Sequence, residues 1–154
     1  MPRTIEGNLN AAGKKFCLVV SRFNDLISQQ LVAGALDCIV RHGGNDGEVE
    51  VVWVPGSFEI PAVAARAAAT KKYQAVICLG AIIRGATPHF EYVAAEAAKG
   101  VAQVSLSSGV PTVFGMITAD NLDQALDRAG SKSGNKGWQA ALAAIELTDL
   151  YTKL

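Results

Sequence analysis

The chain has 154 residues, 14 Lys and Arg against 14 Asp and Glu, a formal net charge of zero, and 50% hydrophobic residues. That length fits a single domain over residues 1–154, able to bury roughly 70% of its unfolded surface; the apolar half excludes disorder, and the neutral balance (pI ≈ 6.7) lacks the basic footprint of a nucleic-acid binder. The longest uncharged stretch, Val101 to Ala119, is broken by Ser105, Ser107, Ser108, Gly109 and Pro111 and does not read as a membrane helix, and MPRTIEGNLN lacks the apolar core of a signal peptide.

Arg3 to Leu9 precede the regular pattern and are expected to form a short strand, suited to pairing with a neighbouring subunit. Phe16 to Val20 (FCLVV) is a wholly apolar, β-rich run, as in a strand covered on both faces. Ser21 to Asn24 leave it, and a helix is expected from about Asp25 to His42. Its apolar stripe is Ile27, Leu31, Ala35, Cys38 and Ile39, with Gly43-Gly44 as the stop. Glu48 to Val54 is the second strand, ending at Pro55-Gly56, and Pro61 suits the first turn of an alanine-rich helix. Ala75 to Leu79 is a third buried strand, followed by the turn GAIIRGATPH and a helix from about Pro88 to Ser107. After Pro111 comes a fourth strand, Thr112 to Ile117. Asp120 is expected to cap a short helix that ends at Gly130. The glycine-rich turn SKSGNKG then leads to a last helix, Trp138 to Tyr151.

Strands alternating with helices predict an α/β fold with a parallel sheet. Right-handed crossovers make it a three-layer α/β/α sandwich: a four-stranded, flavodoxin-like sheet plus the short N-terminal strand. Cys17, Cys38 and Cys78 lie in apolar runs without metal-type spacing and read as buried small hydrophobes in a reducing cytoplasm. Only 18% of residues are charged, below the roughly 25–35% usual on a soluble surface. Part of this surface is therefore expected to be contact with other copies of the chain.

Open parallel sheets bind ligands beyond the carboxyl ends of their strands. The residues collected there are Ser21 to Asn24, Pro55 to Glu59, Gly80 to His89 and Thr118 to Asp120. Thr87 reads as an N-cap and Pro88 as the first helical position, so free amides and the helix dipole would offer an anion site. His89 falls in that first turn. The positive end of a helix dipole disfavours imidazolium, which suits the ring to accept a proton. Phe23 reads as a stacking platform. Glu59 fits equally an exposed helix-start charge or a ligand for hydroxyl or ring N–H groups. Arg128 alone is a solvated charge, and His42 beside the glycine stop is a residue facing the negative end of its helix. Neither G-x-x-x-x-G-K-[ST] nor G-x-G-x-x-G occurs, so nucleotide binding through those motifs is rejected.

At these residues the chain closely resembles the 6,7-dimethyl-8-ribityllumazine synthase family, enzymes of the penultimate step of riboflavin biosynthesis. The motifs are SRFN (Ser21 to Asn24), VPGSFEIP (Val54 to Pro61), GAIIRGATPHFEYV (Gly80 to Val93), FGMITADNLDQALDRAG (Phe114 to Gly130) and GNKGWQAA (Gly134 to Ala141). The resemblance implies a transferase that joins 5-amino-6-(D-ribitylamino)uracil to 3,4-dihydroxy-2-butanone 4-phosphate, releasing phosphate and water, with no metal or organic cofactor. It places Phe23 on the pyrimidine ring, and Ser57, Phe58 and Glu59 on the pyrimidine and ribityl groups. Ala81, Ile82 and Ile83 would line the same pocket. Ala86 and Thr87 would hold the phosphate, and His89 would move protons. Phe114, Arg128 and Lys136 would come from an adjacent subunit, Arg128 to the phosphate and Lys136 to the ribityl chain. It also implies a homo-oligomer, a pentamer or a sixty-subunit icosahedral capsid, the uninterrupted SKSGNKG turn going with the capsid. Riboflavin synthase is the implied partner protein, and the cytoplasm the implied compartment.

Two other functional classes make different demands on the same residues. A phosphoacceptor domain of this topology wants carboxylates at the ends of the first and third strands, where Ser21-Arg22 and Gly80-Ala81 stand. A non-catalytic flavin or lumazine carrier would need Phe23 and Glu59 but neither His89 nor Arg128.

Overall fold

The computed structural model describes residues 1–130 and 134–154. Ser131, Lys132 and Ser133, which belong to the turn linked above to capsids, lie outside the described residues. The elements are β1 (Phe16–Ser21), α1 (Asp25–Arg41), β2 (Val49–Val54), α2 (Ile60–Ala69), β3 (Ala75–Ile83), α3 (His89–Ser108), β4 (Thr112–Ala119), α4 (Leu122–Arg128) and α5 (Lys136–Thr152). Short 3-10 turns at Asp46–Glu48 and Ser57–Glu59 bracket β2.

The sheet runs β2-β1-β3-β4, with every pair parallel. Parallel pairing needs a crossover between partners, and α1, α2 and α3 supply it. Strand alternation then sorts the core into two layers. Phe16, Leu18, Val20, Ile77 and Leu79 face α1 and α5, whereas Cys17, Val19, Val76 and Cys78 face α2 and α3. This is the expected three-layer sandwich. The stripe expected on α1 is buried residue for residue, with Ser28 added. Burying each large side chain in these layers contributes roughly 1.5–3 kcal/mol.

Helix α5 crosses α1 at Gly137, where a Cβ would overlap the Leu31 carbonyl oxygen. Asn135 fixes that crossing: its carboxamide oxygen caps α5 by accepting from Trp138 N at 3.0 Å, and its Nδ2 donates to Gln30 O and Ala129 O, both at 3.0 Å. All three cysteines are buried, and burial pushes the Cys17 and Cys38 thiols up to about 11 and raises Cys78 further. They are packing residues, since a reactive cysteine needs accessible thiolate. His42 ends α1 as expected, its Nδ1 at 2.6 Å from Cys38 O and its ring edge-on to Trp138.

The strand expected at residues 3–9 is one that pairs with a neighbouring subunit; within the single chain the segment runs along α5, with Asn8 N donating to Asp149 Oδ2 at 2.7 Å and Lys153 Nζ to Glu6 O at 2.8 Å. Three expectations need correcting. The cap of α4 is Asn121, which accepts from Gln124 N at 2.9 Å, not Asp120. Thr87 caps nothing: Pro88 occupies the N-cap position without a side-chain bond, and α3 starts at His89. Strand β3 continues to Ile83, through residues expected in a turn, because β4 also runs on to Ala119 and keeps them paired.

Candidate active site

The longer β3 sets the floor of the site. Ala81 and Ile82 are buried in its last turnless residues, and Ile83 is partly buried beside them. Around them opens a cavity of about 540 Å³ at the carboxyl ends of the strands, within the range of small-molecule sites. The loop after β1 contributes Phe23 and Asn24, the segment after β2 contributes Pro55 to Glu59, and the start of α3 contributes His89, Phe90, Tyr92 and Val93. Every expected pyrimidine- or ribityl-side residue that the resemblance assigns to a single subunit is therefore here: Phe23, Ser57, Phe58, Glu59, Ala81, Ile82 and Ile83.

Two rings stand exposed at its mouth, Phe23 at 72% and Phe58 at 58%. Exposed phenylalanines cost solubility without packing gain, and here they offer faces for a flat heterocycle. Phe23 is held out by Asn24, which takes a left-handed conformation (φ 62°) and whose Nδ2 donates to Ala81 O at 3.4 Å. Asparagine tolerates that conformation better than most residues. The first turn of α3 presents its face through His89, Tyr92 and Val93, the i, i+3, i+4 pattern of one helix surface. That spacing in HFEYV would have marked Tyr92, which the sequence reading passed over, as well as Phe90 beside His89.

Charge is scarce. Among the described residues, Glu59 is the one carboxylate lining the cavity, and no Lys or Arg lines it. Arg84, next to the loop, is already engaged. Its Nε lies 3.1 Å from Asp120 Oδ1, its Nη1 3.6 Å from Glu91 Oε1, and its guanidinium stacks over the Phe90 ring at 4.6 Å. Ala86 and Thr87 are exposed on the rim just before α3 but do not line the cavity.

The remaining three expected residues lie elsewhere in this chain. Phe114 is partly buried on β4 opposite Cys78, four residues back from Thr118 and so about 13 Å down the strand. Arg128 is exposed and donates through Nη1 to Thr118 O at 2.8 Å, at the end of edge strand β4. Lys136 opens α5 on the other face of the sheet. Among the described residues no group of His, Cys, Asp or Glu has a metal-binding arrangement, and no helix is long and apolar enough to cross a membrane.

The profile of the 6,7-dimethyl-8-ribityllumazine synthase family matches residues 13–152. Curated proteins of that name align over nearly full length. One from Chlorobaculum tepidum is 58% identical over 152 residues, covering 99% of this chain and 98% of its own. One from Desulfatibacillum aliphaticivorans is 57% identical, covering 97% of each. One from Clostridium kluyveri is 54% identical, covering 99% of each.

Proposed function

The chain belongs to the 6,7-dimethyl-8-ribityllumazine synthase family, and from that premise we propose how the crevice at the ends of its strands divides the work of the reaction. The protein is a transferase of riboflavin biosynthesis. It condenses 5-amino-6-(D-ribitylamino)uracil with 3,4-dihydroxy-2-butanone 4-phosphate to 6,7-dimethyl-8-ribityllumazine, releasing phosphate and water.

The pyrimidine stacks on Phe23, with Phe58 flanking it. The Ser57 hydroxyl and Glu59 carboxylate bind its polar edge and the ribityl hydroxyls, and Ala81, Ile82 and Ile83 form the apolar floor. The cavity supports this: two exposed rings, one carboxylate and one buried hydroxyl converge on about 540 Å³. The nucleophile is the substrate's own amine, so no activated side chain is required. It attacks the ketone carbonyl to give a carbinolamine, which loses water to form an imine; loss of the neighbouring carbon-bound proton expels phosphate and leaves an enol that tautomerises to a ketone, and the ribityl-bearing amine attacks that carbonyl and closes the ring with loss of a second water. Holding two reactants in attack geometry supplies much of the rate, since orientation alone is worth up to about 7–11 kcal/mol in favourable cases. His89, the first residue of α3 and a lining residue, relays protons between these steps.

The phosphate sits at Ala86 and Thr87, against the amino-terminal end of the 20-residue α3. A dianion needs more than amides, and among the described residues no Lys or Arg lines the single-chain cavity. Arg128 of an adjacent subunit supplies it, with Phe114 and Lys136 of that subunit closing the pyrimidine and ribityl side. The assembly is therefore part of the site. Low overall charge and the exposure of Leu26, Leu106 and Leu122 support an oligomer, a pentamer or the sixty-subunit capsid built of such rings, with residues 3–9 available to pair with a neighbour's sheet. The compartment is the cytoplasm, and riboflavin synthase, acting on the product, is the partner.

The observation that carries the reading is the coincidence of the stacking rings, Glu59 and His89 in one crevice. Mixing the purified protein with both substrates is expected to generate lumazine absorbance and one phosphate per product, without added metal or cofactor. A carrier would bind the lumazine and produce neither.

A further inference from the structure

Arg84 is the first residue beyond β3, and three parts of the fold meet at its side chain. Its backbone N donates to Ala119 O at 2.8 Å, which carries the β3–β4 pairing one step past Ile83 and Ala119. That step sets Arg84 beside Asp120, and its Nε donates to Asp120 Oδ1 at 3.1 Å. The same guanidinium reaches forward to the first turn of α3. Its Nη1 lies 3.6 Å from Glu91 Oε1, and its Cζ stands over the Phe90 ring, 4.6 Å from the centroid. Phe90 in turn packs on the core layer beneath α2 and α3. One side chain therefore joins the ends of β3 and β4 to the start of α3.

The stretch it spans is the loop to which the phosphate was assigned. Residues 85–88 are all exposed, a Cβ on Gly85 would meet nothing within 4 Å, and Pro88 opens α3 without a side-chain cap. A loop so sparsely packed takes its shape from its two ends. Arg84 is one end, and Phe90 and Glu91 lie just past the other, so the guanidinium closes the loop at its base. Exposed ion pairs are weak one at a time. Here two carboxylates and a ring share one guanidinium, so the entropy of ordering that side chain is lost once for three contacts.

We propose that Arg84 is a positioning residue for the phosphate side of the site: it clasps the first turn of α3 to the end of β4 and so holds the loop 85–88 in the shape that receives the butanone phosphate. The proposal rests on the placement of the phosphate at Ala86 and Thr87. Arg84 does not bind the phosphate itself. Its single positive charge faces two carboxylates, Asp120 and Glu91, which leaves little of it for a dianion.

The KM for 3,4-dihydroxy-2-butanone 4-phosphate, read beside direct pyrimidine binding, tests this. Arg84→Ala should raise that KM about 3–30-fold, the order expected for losing two exposed ion pairs and one cation–π contact. Pyrimidine affinity should stay unchanged, which a general loosening of the fold would not spare. Asp120→Ala removes the partner of Nε but leaves the charge of Arg84, and should raise the same KM about 2–5-fold. In the Arg84→Ala background it should add less than about 2-fold, because the two act as a unit. Ala86→Asp puts a carboxylate on the loop itself and should raise the KM at least about 10-fold by like-charge repulsion. If Ala86→Asp raises the KM but Arg84→Ala does not, the clasp is overturned while the phosphate placement stands. If Arg84→Ala raises it while Asp120→Ala leaves it unchanged or lowers it, Arg84 holds the phosphate directly and the positioning role is overturned. An equal loss of pyrimidine affinity in Arg84→Ala overturns it as well. If Ala86→Asp has no effect, the placement and the clasp both fail.

Discussion

His89→Ala should lower kcat by ~10–10³-fold while leaving pyrimidine binding nearly unchanged. The split follows from where the ring is. His89 is the first residue of α3 and lines the cavity beside Phe90, on the helix face it shares with Tyr92 and Val93. The pyrimidine-side groups, Phe23, Ser57 and Glu59, come from two other loops, so removing the imidazole leaves them in place. Proton transfer by a positioned side chain contributes about 10²–10⁴-fold in general. The smaller expected loss reflects a reaction whose nucleophile is already an amine and whose rate owes much to orientation. Steady-state kinetics with each substrate varied in turn, together with direct pyrimidine binding, checks the split. A fully active variant would remove the catalytic role, and a lost pyrimidine affinity would make His89 a binding residue instead.

Arg128→Ala should raise the KM for 3,4-dihydroxy-2-butanone 4-phosphate by about 10–100-fold and that for the pyrimidine by much less. The magnitude is that of losing charge-assisted hydrogen bonds to a phosphate. The reason for expecting it lies in what the single chain lacks. Among the described residues no Lys or Arg lines its cavity, and Arg84 is committed to Asp120, Glu91 and the face of Phe90. Arg128 is exposed at the end of edge strand β4, and among the described residues it is held through Nη1 to Thr118 O, a single contact for a planar fork of five donors. Arg128→Lys should recover part of the loss, since it keeps the charge and gives up the bidentate geometry. An unchanged KM for the phosphate substrate in Arg128→Ala would place the cation elsewhere.

The sheet and its two core layers were legible in the sequence because buried parallel strands are continuous apolar runs. FCLVV and AVICL admit little else, and the α1 stripe came out residue for residue. What failed was local and had competing solutions. GAIIRGATPH contains two glycines and a proline and reads as a turn, yet pairing with β4 carries the strand to Ile83. Asp120 and Asn121 are both good caps, and only the arrival of the chain from β4 selects the second. Thr87 had the right side chain, one position too early. Residues 3–9 are of another kind, since the strand expected there is to pair with a neighbouring subunit, and within one chain the segment lies along α5.

The site divided along the same line. Residues just after a strand end were found by position alone, because the rule that ligands bind there needs only strand order. Tyr92 was passed over because an aromatic in a helix reads as core until its face is known. Phe114, Arg128 and Lys136 carried no local signal: none of them lines the cavity of its own chain, and the resemblance alone assigned them to it.

The central claim is that the catalytic crevice is completed by a second copy of the chain. Co-assembly of two inactive variants tests it most directly. Phe23→Ser lacks the stacking ring contributed by one subunit, and Arg128→Ala lacks the cation contributed by its neighbour. In mixed oligomers, some crevices combine an intact Phe23 with an intact Arg128, so lumazine formation should return to a fraction of the unmutated rate. Mixed oligomers, verified as such, that remain as inactive as either variant alone would contradict the shared site.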